Sequence, residues 1–209
     1  EYGEKKAEEI FKAFHSKSTI SIRTNLTRCT PDELRAMLEA EGVIVTPVDE
    51  LNYAFVISGF DYLNGLQSFR DGLFYVQDIS SMLVAQTAAP KKGDYVLDVC
   101  AAPGGKSTHI AELLKGSGHV LARDLTDTKV GMIEENIDRH GLNNMSAEVW
   151  DATVPDADSA EKADILICDL PCSGLGVLGR KKDIRYKMTP ESVDELAALQ
   201  RQILDTVHT

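Results

Sequence analysis

The sequence lacks the features that would place it in a membrane, in an oxidising compartment or on bare polyanion. No apolar run approaches the roughly 20 residues that a bilayer-spanning helix needs. No basic segment followed by an apolar one opens the chain, so no secretory leader is read there. The chain starts Glu1-Tyr2-Gly3 rather than with methionine, as an excised or processed chain would. Cysteine is sparse: Cys29, Cys100, Cys168 and Cys172 form no Cys-x-x-Cys pair, and no histidine stands near Cys168 and Cys172 at a zinc-like spacing. That argues against a metal site or a disulfide framework and predicts reduced thiols in a cytoplasmic protein. Positive charge is also short, with 22 Lys and Arg against 33 Asp and Glu and a net charge of -11. Nucleic-acid binders are ordinarily basic, so this balance speaks against such a partner unless the cations are gathered locally. They are: Arg180, Lys181, Lys182, Arg185 and Lys187 crowd together, opposed only by Asp183. Such a run can steer phosphates; the alternative is an ordinary solvated charged face.

What is present describes a globular chain. The 209 residues, 43% hydrophobic and 26% charged, suffice for one large domain or two small ones. Periodicity predicts a helix at 2–14 and a strand at 18–25. A helix begins at Thr30-Pro31-Asp32-Glu33, where Thr30 is the N-cap, Pro31 the first helical residue and Glu33 the capping-box partner, and it ends near Glu41 before Gly42. Strands are expected at 43–46, 53–58 and 73–77. These elements predict a small α+β unit over residues 1–77. From residue 78 strands and helices alternate: helix 79–88, strand 95–99, helix 106–114, strand 118–123, helix 126–140, strands 146–150 and 163–168, and a last helix from Thr189. Over 78–209 this alternation predicts a parallel, doubly wound α/β sheet.

The loop after the first of those strands is Cys100-Ala101-Ala102-Pro103-Gly104-Gly105, with Lys106 opening the next helix. Ligands of open α/β sheets sit at the carboxyl ends of strands, and the glycines permit positive φ and a close approach of backbone to ligand. The helix N-terminus offers free N–H groups to a carboxylate or phosphate. Gly-x-Gly-x-x-Gly is absent, and so is Walker spacing before Lys106. Asp124 ends the next strand about 20 residues on, where a carboxylate takes the hydroxyls of a ribose. Asp151 follows the third strand, where it could accept from an adenine amino group. Each acid alone reads as a solvated loop carboxylate; together with the glycine loop they mark one sheet edge. The fourth strand delivers Asp169-Leu170-Pro171-Cys172. A thiol at that turn fits chemistry at cytosine C5, a poor nucleophile until a thiolate adds at C6. Cys100 and Cys168 read instead as small buried hydrophobes.

The run from Val99 to Thr108 (Val-Cys-Ala-Ala-Pro-Gly-Gly-Lys-Ser-Thr), taken with Asp169-Leu170-Pro171-Cys172-Ser173-Gly174-Leu175-Gly176, resembles the Sun/Fmu family of RNA (cytosine-5) methyltransferases. Gln77-Asp78-Ile79-Ser80-Ser81 and the segment from Arg180 to Lys187, with its Asp183-Ile184-Arg185, are similar to family segments too, and the likeness covers about residues 18–209. Leu170 departs from it, since Ala is usual there. The bacterial small-subunit ribosomal RNA methyltransferases of the Sun type look nearest. The resemblance implies an S-adenosylmethionine cofactor and an RNA substrate, ribosomal RNA foremost. It implies that Cys100, Ala101, Ala102, Pro103, Gly104, Gly105 and Lys106 wrap the methionine part, that Asp124 holds the ribose and Asp151 the adenine side, and that Asp169 lies beside the methionine amino group and the base. Arg180, Lys181, Lys182 and Arg185 become candidate RNA contacts. Cys172 would aid product release, while the attacking thiol belongs to a Thr-Cys segment after a further strand. No such segment follows Thr189, so the resemblance implies a Rossmann-like methyltransferase sheet missing its C-terminal strands, behind an RRM-like α+β subdomain, and inactive alone. An unpaired sheet edge would invite association. Two alternatives remain: a non-catalytic cofactor- or RNA-binding module, and a cytosine-5 methyltransferase that attacks with Cys172, as DNA enzymes with a Pro-Cys turn do.

Overall fold

The computed structural model describes residues 3–13, 19–177 and 183–208, with the side chains of Ala13, Arg185 and Lys187 left aside. Helix α1 covers Gly3–Ala13. Strand β1 (Ile20–Thr24), helix α2 (Pro31–Ala40) and strands β2 (Ile44–Val48), β3 (Leu51–Ser58) and β4 (Phe74–Val76) follow, with the one-turn helix α3 at Gln67–Arg70. The four strands form an antiparallel sheet in the order β2-β3-β1-β4. Helix α2 starts as its sequence dictates: Thr30 Oγ1 accepts from the Glu33 amide at 3.3 Å, and Glu33 returns the bond to the Thr30 amide at 2.8 Å. Its apolar stripe, Leu34 and Leu38, packs on Ile22, Phe55, Ile57 and Phe74 from one face of the sheet.

The other face differs from the usual polar, wet face of an antiparallel sheet. Ser21, Arg23 and Tyr75 point there, yet all are buried. The reason is a second layered unit standing against it. That unit comprises α4 (Ile79–Ala88), β5 (Tyr95–Asp98), α5 (Gly105–Leu113), β6 (His119–Asp124), α6 (Asp127–His140), β7 (Met145–Val149), β8 (Ile165–Ile167), α7 (Ile184–Lys187) and α8 (Pro190–Val207). Its strands are all parallel, in the order β7-β6-β5-β8. Val96, Val120 and Ala122 pack with Ile110 and Ala111 of α5 and Ile133 of α6 on one side. Leu97 and Val99 meet Ile203 of α8 on the other. Apolar burial of this kind contributes about 1.5–3 kcal/mol per large side chain, and it fixes the strand ends that carry the site.

The short helices α3 and α7 are not evident from periodicity, which needs more than one turn to register. Strand β8 is shorter than the expected 163–168, and it is an edge of the sheet among the described residues.

Candidate functional site

Strand β5 has β6 on one side and β8 on the other. The chain therefore winds away from β5 in both directions, and the crevice at its carboxyl end is a topological switch point. Register puts Asp98 beside Ala122 of β6 and Ile167 of β8, and Asp124 beside Val149 of β7. The glycine loop, Asp124, Asp151 and the Asp169–Cys172 turn consequently leave the sheet along one edge, as the sequence predicts.

The loop is shaped by its own backbone and by the neighbouring strand. Ala101 N–H donates to the Arg123 carbonyl at 2.8 Å, and Gly104 N–H donates to the Ala101 carbonyl at 2.7 Å. The Ala102–Pro103 peptide is cis. Gly104 has φ 100°, and a Cβ there would come within 3.3 Å of Ile133, so glycine is what allows the turn to close against α6. Helix α5 begins directly after it with no side chain capping its N-terminus. Its first amides are thus available to an anionic ligand group.

The carboxylates differ in environment. Asp124 is buried, and it accepts from the amides of Ala102 at 2.9 Å and Leu125 at 2.8 Å and from Lys129 Nζ at 2.8 Å. Asp151 is exposed and accepts from the Thr153 hydroxyl at 2.7 Å and its amide at 2.9 Å; those bonds lower its pKa. Asp169 is exposed and forms an ion pair with Lys106 across the crevice, joining the loop to the fourth strand end. Beneath the loop lies Asp98, which periodicity assigns only to a strand. Burial pushes its carboxyl up to about 6, against the Ser107 hydroxyl, which donates to it at 2.5 Å.

The thiols separate in the same way. Burial, then the nearby Asp124 and Asp98 carboxylates, push Cys100 up to about 11, and burial raises Cys168 and Cys29 as well. These three are poor nucleophiles at neutral pH. Cys172 is exposed, on the turn that follows β8 and that Gln200 of α8 fastens by donating to the Pro171 carbonyl at 2.7 Å. The residue set fits a nucleoside-bearing zwitterion: a positive-φ loop with free amides for a carboxylate, and carboxylates at the next strand ends for hydroxyl and amino donors. Of the basic cluster, Arg180, Lys181 and Lys182 and the side chain of Arg185 lie outside the described residues.

Tyr75 and Asn136 are functional candidates that local patterning does not reveal. Both reach the loop from elements far away in sequence.

Residues 85–209 match the family model described as 16S rRNA methyltransferase RsmB/F, and residues 1–60 match the RsmF/B-like ferredoxin-like domain. The chain is 40% identical over 205 residues to the probable ribosomal RNA small subunit methyltransferase B of Bacillus subtilis, covering 97% of this chain and 45% of that protein. It is 34% identical to the ribosomal RNA small subunit methyltransferase B of Vibrio cholerae, covering 96% of this chain and 46% of the other. The chain thus spans about half the length of the curated relatives it matches. Among solved structures it is similar to PH0851, with a TM-score of 0.91 and 29% identity over 98% of this chain and 46% of that one. The fold is shared with NSun6 from Pyrococcus horikoshii with SFG, at a TM-score of 0.88 and 23% identity over 98% of this chain and 76% of that one.

Proposed function

Because the chain belongs to the RsmB/F family of 16S rRNA methyltransferases, we propose that it is the cofactor-binding portion of an enzyme that transfers methyl from S-adenosylmethionine to C5 of a cytosine in ribosomal RNA. The observation that carries this reading is the alignment, on one sheet edge, of the glycine loop, Asp124 and the Cys172 turn at three parallel strand ends. The sulfonium cofactor supplies an electrophilic methyl group when bound. The free amides at the start of α5 would hold its carboxylate, Asp124 its ribose hydroxyls and Asp151 its adenine side. Asp169, tethered by Lys106, orients the amino group and the base.

Cytosine C5 attacks only after a thiolate adds at C6. In this proposal the attacking thiol lies outside the chain, and Cys172 serves the release of the methylated base. The basic run at Arg180, Lys181, Lys182 and Arg185 contacts phosphates. That assignment reconciles an RNA substrate with a net charge of -11, since steering depends on local potential.

The test uses the full-length protein with methyl-labelled S-adenosylmethionine and small-subunit ribosomal RNA, followed by nucleoside mass spectrometry. Label in 5-methylcytidine is expected. Label on a ring or exocyclic nitrogen would overturn the C5 assignment.

A further inference from the structure

The glycine loop is held from below by a layer outside the parallel sheet. Strand β4 of the antiparallel sheet carries Tyr75, whose hydroxyl donates to the Pro103 carbonyl at 3.0 Å. Helix α6 carries Asn136, whose side-chain amide donates to the same carbonyl at 2.9 Å and lies 3.2 Å from the Tyr75 hydroxyl. Proline has no N–H, so this carbonyl is the only backbone hydrogen-bonding group of residue 103, and two donors occupy it. Asn136 is itself oriented, because its amide oxygen accepts from Arg139 at 2.5 Å. The Tyr75 ring fits under the next residues: a Cβ on Gly105 would stand 3.2 Å from Tyr75 Cε1. The Tyr75 ring is covered by Arg23 and Arg139, 5.6 Å and 5.7 Å from its centroid. Burial holds the phenol protonated, pushed up to about 12, so it stays a donor over the working pH range.

We infer that Tyr75 and Asn136 are positioning residues for the cofactor loop, fixing it through the Pro103 carbonyl so that strand β4 of the antiparallel unit and helix α6 of the parallel unit together set cofactor affinity. The inference rests on the reading that this loop holds S-adenosylmethionine. A loop fixed before binding has less conformational freedom to lose when the ligand arrives. Removing the donors leaves the loop folded but mobile, and the ordering cost moves to the binding step. Neither residue need touch the cofactor.

Two measurements on this chain separate the inference from the cofactor reading. The variants are Tyr75→Phe, the double variant Tyr75→Phe with Asn136→Ala, and Tyr53→Phe as control. Tyr53 is buried in the same sheet, with its ring against His109 in the middle of α5. The first measurement is amide hydrogen exchange without cofactor. Exchange at Ala102 and Gly104 is expected to quicken at least about tenfold in the double variant and to stay unchanged in Tyr53→Phe, with β6 amides unaffected in both. The second is calorimetric binding of S-adenosylhomocysteine. Tyr75→Phe is expected to raise Kd about fivefold and the double variant more than tenfold, as loss of one or two ordinary hydrogen bonds implies. Unchanged loop exchange in the double variant would overturn the inference, and so would equal weakening by Tyr53→Phe. Faster exchange together with a parent chain that binds no S-adenosylhomocysteine would uphold the anchoring and overturn the cofactor reading instead.

Discussion

The Arg23 guanidinium and the Glu112 carboxylate meet at 3.2 Å with side chains 1% and 3% exposed, one from β1 of the antiparallel sheet and the other from α5, which rises from the glycine loop. Arg23 also donates to Thr108 at 3.2 Å, and His140 lies 3.6 Å from the same carboxylate oxygen. Burial lowers the Arg23 pKa and the Glu112 charge opposes it. The pair therefore exists because both partners are present; either alone would be a buried, uncompensated charge.

Arg23→Met is accordingly expected to cost about 3–5 kcal/mol, and adding Glu112→Leu should recover much of it. Urea unfolding of the two variants measures this. A single variant that loses under about 1 kcal/mol, or a double variant no better than the single one, would remove the pair from any role in joining the units.

A second junction depends on the absence of a side chain. Gly72 has φ 65°, and a Cβ there would fall 1.9 Å from the Arg139 carbonyl oxygen at the end of α6. Gly72→Ala should therefore destabilise by more than about 2 kcal/mol, through strain and displaced packing together. Gly93 has φ 95° but open space around it, so Gly93→Ala should cost only the backbone strain of about 1–2 kcal/mol. Thermal unfolding that ranks the two the other way would contradict the close contact.

Asp98 gives a pH dependence of defined sign. Its folded pKa is raised to about 6 from an ordinary 3.8. The folded state thus binds this proton more tightly than the unfolded chain does. The contribution favours folding at low pH, declines as pH rises between about 4 and 6, and is a constant penalty above that, up to about 3 kcal/mol. Asp98→Asn keeps the shape and drops the titration. The stability of the variant relative to the parent should rise between about pH 4 and pH 6 and then level off. A difference that stays flat across that range would show that Asp98 is ionised throughout.

In the full-length protein, Cys172→Ala should trap a covalent protein–RNA adduct, because attack proceeds and release fails. Denaturing gel electrophoresis with labelled RNA reads it. Loss of methylation with no adduct would make Cys172 the attacking thiol.

Much of this was legible locally. The Thr30 capping box, the strand-loop-helix at Asp98 to Lys106 and the parallel alternation follow from short-range rules of spacing and propensity. The position of Asp124 at a strand end follows from them too. The burial of Ser21, Arg23 and Tyr75 did not, because an alternating strand with polar residues on one face predicts water there. A second unit covers that face, and only long-range packing reveals it. Tyr75 and Asn136 escaped for the same reason: each sits in an ordinary strand or helix pattern, and their convergence on Pro103 joins residues far apart in the chain. Asp98 reads as a strand terminus until its burial is known.

We claim that this chain holds S-adenosylmethionine at the ends of β5 and β6, with Asp124 on the ribose. Calorimetric titration of the parent chain and of Asp124→Ala is its most direct test. Saturable binding by the parent, weakened at least about tenfold in the variant, or ~1.4 kcal/mol, is the predicted result. Equal affinity in the two would contradict the placement of the ribose at Asp124, and no binding by a folded parent chain would contradict the claim itself.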